Sequence, residues 1–292
     1  MVMHIVPTGA ALGAEVRGID IRRPLDGATI RQLVDAWHRY LVLIVREQPM
    51  TNEQHLAFTA HFGTPDYSGS NQFKKAYSGE PLGNLDGVTP PQIAVVSNIK
   101  VDGKPIGSLG DGEARWHTDS SYVDVPTAGS FLHALEVPPA GGDTWFNDMY
   151  AALETLPDAL RQAIAGKTLL HAATYSPNGA RKKGFENHND VTTAPGARHP
   201  MIRTHPETGR KALYLGRRDG GYIFGMPVAE SEHLLDALWA HATQDRFVYR
   251  HRWREGDLVW WDNRCAMHRR DAFDPSARRL MHRTQTAGTI PV

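Results

Sequence analysis

Apolar residues recur at helical spacing from Ile30 through Leu33, Val34 and Trp37 to Leu41, and then run without interruption as LVLIV over 41 to 45. The first pattern predicts a helix and the second a buried strand. Thr51 followed three residues later by Gln54 has the form of a capping box, and Leu56 and Ala60 give the helix behind it an apolar side up to Phe62 and Gly63. Two further helices are predicted near 150 to 165 and 229 to 242. Between and after them lie short β-rich runs: IAVVSNI (93 to 99), SFLHALEV (130 to 137), ALYLG (212 to 216), RFVYRHRW (246 to 253) and DLVWW (257 to 261). Their connections contain Gly and Pro, and strands do not alternate regularly with helices. That pattern predicts a mainly β fold with flanking helices, an antiparallel sandwich or jelly roll, and argues against a doubly wound sheet. Trp116, Tyr122, Trp260 and Trp261 are expected in its core.

Two stretches break the pattern, 65 to 91 and 175 to 200; the second carries Pro177, Gly179, Gly184, Pro195, Gly196 and Pro200 among polar residues. Loops of this length are read either as lids or as disordered excursions. A chain of 292 residues with 41% hydrophobic content can fill one sizeable core, so a single domain over 1 to 292 is expected. Lys plus Arg and Asp plus Glu balance at 32 each, so no global field favours nucleic acid or an anionic membrane; any anion site must be local. The single cysteine, Cys265, excludes an internal disulfide framework and a CxxC site. With no apolar stretch near the roughly 18 residues of a membrane span and no secretory leader pattern, a cytoplasmic location is the expectation.

The chemistry concentrates in two places. In RWHTDSSY, 115 to 122, a strand through 117 to 119 would aim His117 and Asp119 at one point, since side chains at i and i+2 share a side. Imidazole plus carboxylate suits a divalent first-row metal. Alone, H-x-D is equally well two polar side chains on a surface strand. The second place is GDLVWWDNRCAMHRRDAFDPSARRLMHR, 256 to 283: an apolar strand, a polar Asp262-Asn263-Arg264 turn, then His268 as a candidate third ligand. Arg279 and Arg283, four apart, share a side if that segment is extended, with Arg278 facing away. A guanidinium can clamp a carboxylate with two parallel hydrogen bonds. Cys265 reads as a small buried hydrophobe, and His61, His133, His171 and His282 as surface, core or supporting groups.

The segments WHTDSSY, GGDT at 141 to 144, WDNRCAMH and ARRLMHR, in this order, closely resemble the iron(II)- and 2-oxoglutarate-dependent dioxygenases of the taurine and 2,4-dichlorophenoxyacetate type. The likeness begins with LGAEVRGIDIRRPL at 12 to 25, passes through THPETGRKALYLG at 204 to 216 and so covers nearly the whole chain. It implies a double-stranded β-helix, a cupin-like jelly roll. It implies His117, Asp119 and His268 as Fe(II) ligands, Arg279 and Thr144 on the distal carboxylate of 2-oxoglutarate, and Arg283 near both the cosubstrate and an anionic primary substrate. It implies a reaction consuming O2 and 2-oxoglutarate, releasing succinate and CO2, and hydroxylating a C–H bond of a small organic anion such as an aryloxyalkanoate, a sulfonate or another carboxylate. A dimer or tetramer is the family-level expectation. PDYSGSNQ after Phe62-Gly63-Thr64, and GEAR before Trp116, depart from the taurine pattern. Two alternatives stay open: a jelly-roll metal protein without oxygenase activity, and a biosynthetic member performing desaturation or epoxidation.

Overall fold

In the computed structural model, which describes residues 2–292, two β-sheets lie face to face as a jelly roll with helices packed outside. The larger sheet has eight strands in the order His4–Pro7, Ala14–Arg17, Val42–Val45, Leu258–Asp262, Gly129–Glu136, Leu280–Gln285, Ala94–Ser97, Ser108–Leu109. Two neighbouring pairs in it, Ala14–Arg17 with Val42–Val45 and Ala94–Ser97 with Ser108–Leu109, run parallel. The smaller sheet has four strands, all antiparallel, in the order Val248–His251, Thr144–Asp148, Ala266–Arg270, Ala114–His117.

Period-two alternation decides which side chains reach the space between the sheets. Trp261 points inward, 5.3 Å from the ring of Phe146 and 4.6 Å from that of His268, both on the smaller sheet. Trp260 points outward into a second apolar cluster with Phe58, Phe62 and Phe131. Helices Gly27–Tyr40 and Asn52–Thr59 cover that side. Both indoles are fully buried, and each removes roughly 200 Å² from water, on the order of 5 kcal/mol of transfer free energy. The same division explains the unbroken run at 41 to 45. Val42 and Ile44 belong to the inner cluster, Leu43 and Val45 to the outer one, so a strand buried on both faces has no polar position to spare.

The capping box forms as its sequence predicts: Thr51 Oγ1 accepts from Gln54 N–H at 3.3 Å and Gln54 Oε1 from Thr51 N–H at 2.9 Å. The helix expected near 229 to 242 spans Val228–Ala242. The one expected near 150 to 165 is two helices, Met149–Glu154 and Asp158–Ile164, because Pro157, which has no N–H to donate, stands immediately before the second. The run at 212 to 216 contributes only Lys211–Leu213 as strand, and 246 to 253 opens with a short turn before Val248–His251. Neither long irregular stretch is structureless. The first contains the helix Gly69–Phe73 and a wide helical turn Lys74–Ser78; the second ends in the strand Gly196–Pro200, paired with Thr168–Ala172. Among the described residues no helix is long and apolar enough to cross a membrane.

Five histidines away from the candidate site, His55, His133, His171, His199 and His251, are buried, and burial lowers the pKa of each. Unfolded histidines titrate near 6.5. Because the folded values lie lower, unfolding takes up protons once the pH falls below about 6.5, and stability present above that pH is lost on acidification. The metal-free protein is therefore expected to melt at progressively lower temperature from pH 6.5 to pH 5 in differential scanning calorimetry; a constant melting temperature across that interval would contradict the assignment.

Candidate metal centre and anion pocket

His117 is the last residue of its strand and stands directly opposite His268 in the antiparallel register of the smaller sheet. Directly opposed residues put their side chains on one face. The two rings accordingly lie 4.1 Å apart, although the residues are about 150 apart in sequence. Asp119 arrives differently from the expectation of a strand through 117 to 119. The strand ends at His117, and Asp119 sits in the turn that follows. That turn is bolted down from the Asp262-Asn263-Arg264 corner: Asn263 Oδ1 accepts Asp119 N–H at 2.9 Å, while Asn263 Nδ2 donates to the carbonyls of Asp119 and Thr127, both at 2.9 Å. On its other side Thr118 N–H donates to Gly216 O at 2.9 Å. Gly216 has φ +65°, and a Cβ there would land on His171 Nδ1, so only glycine fits.

The corner itself is held by charge. Arg264 clamps both oxygens of Asp262 at 2.8 Å, and His205 Nε2 donates to Asp262 Oδ2 at 2.9 Å while its Nδ1 accepts Thr208 N–H. His38 completes a second group of histidine and carboxylate ligand atoms here. Asp262 is already clamped by Arg264 and His205 is bonded on both ring nitrogens, to Asp262 and Thr208, which makes the pair a brace for the turn.

His117 Nε2 lies 3.7 Å from Asp119 Oδ1 and His268 Nε2 3.8 Å from Asp119 Oδ2, and the ligand atoms of the three residues all fall within 4.8 Å of one another. All three side chains are buried. His117 Nδ1 is 2.7 Å from Arg115 O; a carbonyl only accepts, so Nδ1 carries the hydrogen and the Nε2 lone pair faces the carboxylate. Burial, followed by the neighbouring His117, keeps the His268 imidazole well below the usual histidine range. Burial by itself would raise Asp119, but Arg283, the largest opposing influence, holds the carboxyl well below its ordinary value. Neutral imidazole and ionised carboxylate are the states a divalent cation requires.

Beside this group lies a small cavity of about 40 Å³. Thr144, Arg270, Arg279 and Arg283 supply its polar wall, Leu132 and Trp261 part of its apolar one. Arg279 is 1% exposed, and its Nε and Nη1 have no acceptor in the protein. Burial and the nearby Arg270 bring its pKa down to about 9. An unpaired buried cation costs several kcal/mol, so this guanidinium is built for an incoming anion. Thr144 Oγ1 accepts from the Trp253 indole at 3.0 Å, which leaves the hydroxyl hydrogen free to donate. Arg283 lines the same cavity and donates to both oxygens of Asp119 at 2.8 Å. Arg278 faces outward as expected, paired with Glu136 at 2.7 and 3.0 Å. Cys265 is buried with its Sγ 3.8 Å from Asp262 O, and burial pushes its thiol well above the usual range, as befits an inert packing group. Sequence reasoning missed the clamping role of Asn263 and the contributions of Arg270 and Trp253, since nothing in their local sequence separates them from other polar and aromatic residues.

A jelly roll with two histidines and a carboxylate converging next to a buried, unpaired guanidinium defines the class of metal- and keto-acid-using oxygenases. The chain belongs to the taurine catabolism dioxygenase TauD, TfdA family, whose description matches residues 4–285. It is 36% identical over 292 residues to the alpha-ketoglutarate-dependent 2,4-dichlorophenoxyacetate dioxygenase of Cupriavidus pinatubonensis, covering 96% of each chain. It is 34% identical to the (S)-phenoxypropionate/alpha-ketoglutarate dioxygenase of Delftia acidovorans, covering 98% of this chain and 95% of that one. Among solved structures it resembles that of AAD-2 in complex with Mn(II) and N-oxalylglycine, with a TM-score of 0.78 and 32% identity, covering 100% of this chain and 99% of the other.

Asn263→Ala removes three buried hydrogen bonds, two of them to Asp119 and one to Thr127. It is expected to destabilise the fold by about 2–3 kcal/mol and to weaken divalent-metal binding by about 10- to 100-fold, checked by thermal melting and metal titration of the same preparation. Unchanged metal affinity would show that the turn does not depend on this side chain.

Proposed function

We propose that the protein is an Fe(II)- and 2-oxoglutarate-dependent dioxygenase that hydroxylates a C–H bond of a small organic anion, an aryloxyalkanoate being the favoured class, with release of succinate and CO2. The observation that carries this reading is Arg279, buried without an acceptor on the wall of the cavity that His117 and His268 also line. A metal-binding protein without oxygenase activity has no use for such a clamp. The aryloxyalkanoate preference rests on the two relatives whose names specify phenoxy acids.

The residues divide the work. His117 Nε2, one Asp119 oxygen and His268 would hold ferrous iron, which supplies the one-electron chemistry that activates O2 at the expense of 2-oxoglutarate. Arg279 would take the distal carboxylate of 2-oxoglutarate and Thr144 would donate its hydroxyl hydrogen to the same group, leaving the keto-acid end directed at the histidines. The Arg115 carbonyl fixes the His117 tautomer, and the Asn263 clamp fixes Asp119. Leu132 and Trp261 keep the cavity wall dry, which strengthens every charge interaction inside it.

Purified protein supplied with Fe(II), ascorbate, O2 and 2-oxoglutarate is expected to release succinate faster when phenoxyacetate is added. Asp119→Ala abolishes the release, and Arg279→Leu raises the KM for 2-oxoglutarate about 100-fold, the loss of a two-hydrogen-bond charge pair. Equal KM values in Arg279→Leu and the parent protein would overturn the assignment of the clamp.

A further inference from the structure

The two long segments that the sequence leaves irregular meet each other over Tyr122. From the first come Phe73 and Tyr77, from the second Phe185, with ring centroids 5.9 Å apart for Phe73–Phe185 and 6.5 Å for Tyr77–Phe185. Phe73 also meets the Tyr122 ring at 6.1 Å, and Tyr77 donates its hydroxyl hydrogen to Tyr122 O at 2.6 Å. Tyr122 is three residues beyond Asp119 and 4% exposed. Its hydroxyl donates to Gly69 O at 2.7 Å. At Gly69 a side chain would meet Ser120, Arg283 and Tyr122 together, so this helix start closes directly on the metal-centre wall.

Into this aromatic meeting point the second segment delivers one cation. Residues 174 to 182 form a hairpin: Lys182 N–H donates to Thr174 O at 2.8 Å, Ser176 N–H to Ala180 O at 2.9 Å, and Tyr175 bridges to Arg181. The hairpin is tied to the strand that carries His117 by Arg115 N–H donating to Pro177 O at 2.8 Å. Lys182 Nζ ends 3.7 Å from the Phe73 ring centroid and 4.4 Å from that of Tyr122. No carboxylate pairs with it among the described residues. Arg217, 8% exposed, also lies against the Tyr122 ring, at 5.3 Å; its Nη1 donates to Tyr175 O in the hairpin at 2.6 Å, its Nε is unpartnered and no carboxylate pairs with it among the described residues. Two cations thus share one tyrosine, and the nearest buried carboxylate, Asp119, is already taken by Arg283. Like charges held against one buried ring repel, and an anion between them would relieve both. Burial and Arg217 lower the Lys182 ammonium to about 6, and an anion bound beside it would favour the charged form again.

We infer that Lys182 is the contact through which the 175–200 segment recognises the acidic group of the primary substrate, with Arg217 facing it across Tyr122. The inference rests on the dioxygenase reading for the chemistry, and on the hairpin, the ring contacts and the unpaired cations for the site. Arg279 serves the cosubstrate; Lys182 and Arg217 serve the molecule to be oxidised. Because the cation sits on the covering segment, the ion pair that orients the substrate also fastens that segment over it. Phe73, Tyr77 and Phe185 then flank whatever apolar body the anion carries.

The test uses the full protein loaded anaerobically with Fe(II) and 2-oxoglutarate, with Lys182→Met, which keeps the length lying on the rings, and Lys182→Arg, which keeps the charge. Binding of phenoxyacetate, (S)-2-phenoxypropionate and the neutral phenoxyacetamide is followed by calorimetry, and chymotryptic cleavage after Phe185 reports how firmly the segment is seated. The expected result is that the parent protein prefers the acids to the amide, that Lys182→Met weakens acid binding about tenfold or more without changing amide binding, and that Lys182→Arg stays near the parent value. The acids should slow cleavage at Phe185 in the parent and in Lys182→Arg, and leave it unchanged in Lys182→Met. Equal acid affinity and equal protection in Lys182→Met, or a parent protein that takes up iron and 2-oxoglutarate but binds neither acid, overturns the inference and leaves the dioxygenase reading intact. Failure of the parent to bind 2-oxoglutarate overturns the underlying reading itself.

Discussion

The site depends on one strand register. His117 and His268 face each other only because Ala114–His117 and Ala266–Arg270 pair with those two residues opposed, and a slip of one position would send one imidazole to the other side of the sheet. The pairing is secured from both ends. Phe146, on the neighbouring strand, stands opposite His268 and packs against Trp261 in the core, and the Asp262-Asn263-Arg264 corner immediately before the His268 strand reaches across to hold the Asp119 turn. The same hairpin therefore supplies one ligand and positions another. Packing in the core and geometry at the site are one problem here, which is why the apolar strand at 258 to 261 and the polar turn after it occur as a unit.

Charge is arranged with the same economy. The chain carries equal numbers of acidic and basic residues, yet the interior near Asp119 gathers Arg217, Arg270, Arg279 and Arg283, all largely shielded from water, around a single carboxylate. Arg270 is partly satisfied by the carbonyls of Leu109 and Gly112, whereas Arg279 has no acceptor for its Nε and Nη1. Global neutrality and local excess are compatible because acidic residues lie elsewhere, several of them paired with other arginines, as Glu136 is with Arg278. A pocket of this kind binds poorly to anything neutral and favours small molecules bearing carboxylate or a comparable group.

Much of this was legible in the sequence, and the reason differs for each part. The jelly roll followed from short β-rich runs without helical alternation, because a strand's period survives in one sequence. The candidate ligands stood out by motif order, since H-x-D and a distant histidine gain meaning only together with the basic segment, and the structure brings the three together. The way Asp119 is presented was not legible: a turn held by a side chain 144 residues away leaves no local trace. The irregular stretches read as ambiguous for a related reason. Their order comes from aromatic contacts between segments about 110 residues apart, such as Phe73 with Phe185, and from hairpin hydrogen bonds that composition alone cannot reveal. Tyr122, expected simply in the core, is buried but also forms the floor on which Lys182 and Arg217 rest.

The central claim is that one cavity brings an iron site and a keto-acid clamp together. It is tested most directly by titrating the metal-free protein anaerobically with Fe(II) and then 2-oxoglutarate while recording the visible spectrum. The account predicts a charge-transfer band that saturates at one iron and one 2-oxoglutarate per chain, is absent in His117→Ala and is weakened in Arg279→Leu at the same 2-oxoglutarate concentration. Iron uptake without any band would contradict it, leaving the jelly roll in place and its cosubstrate unassigned.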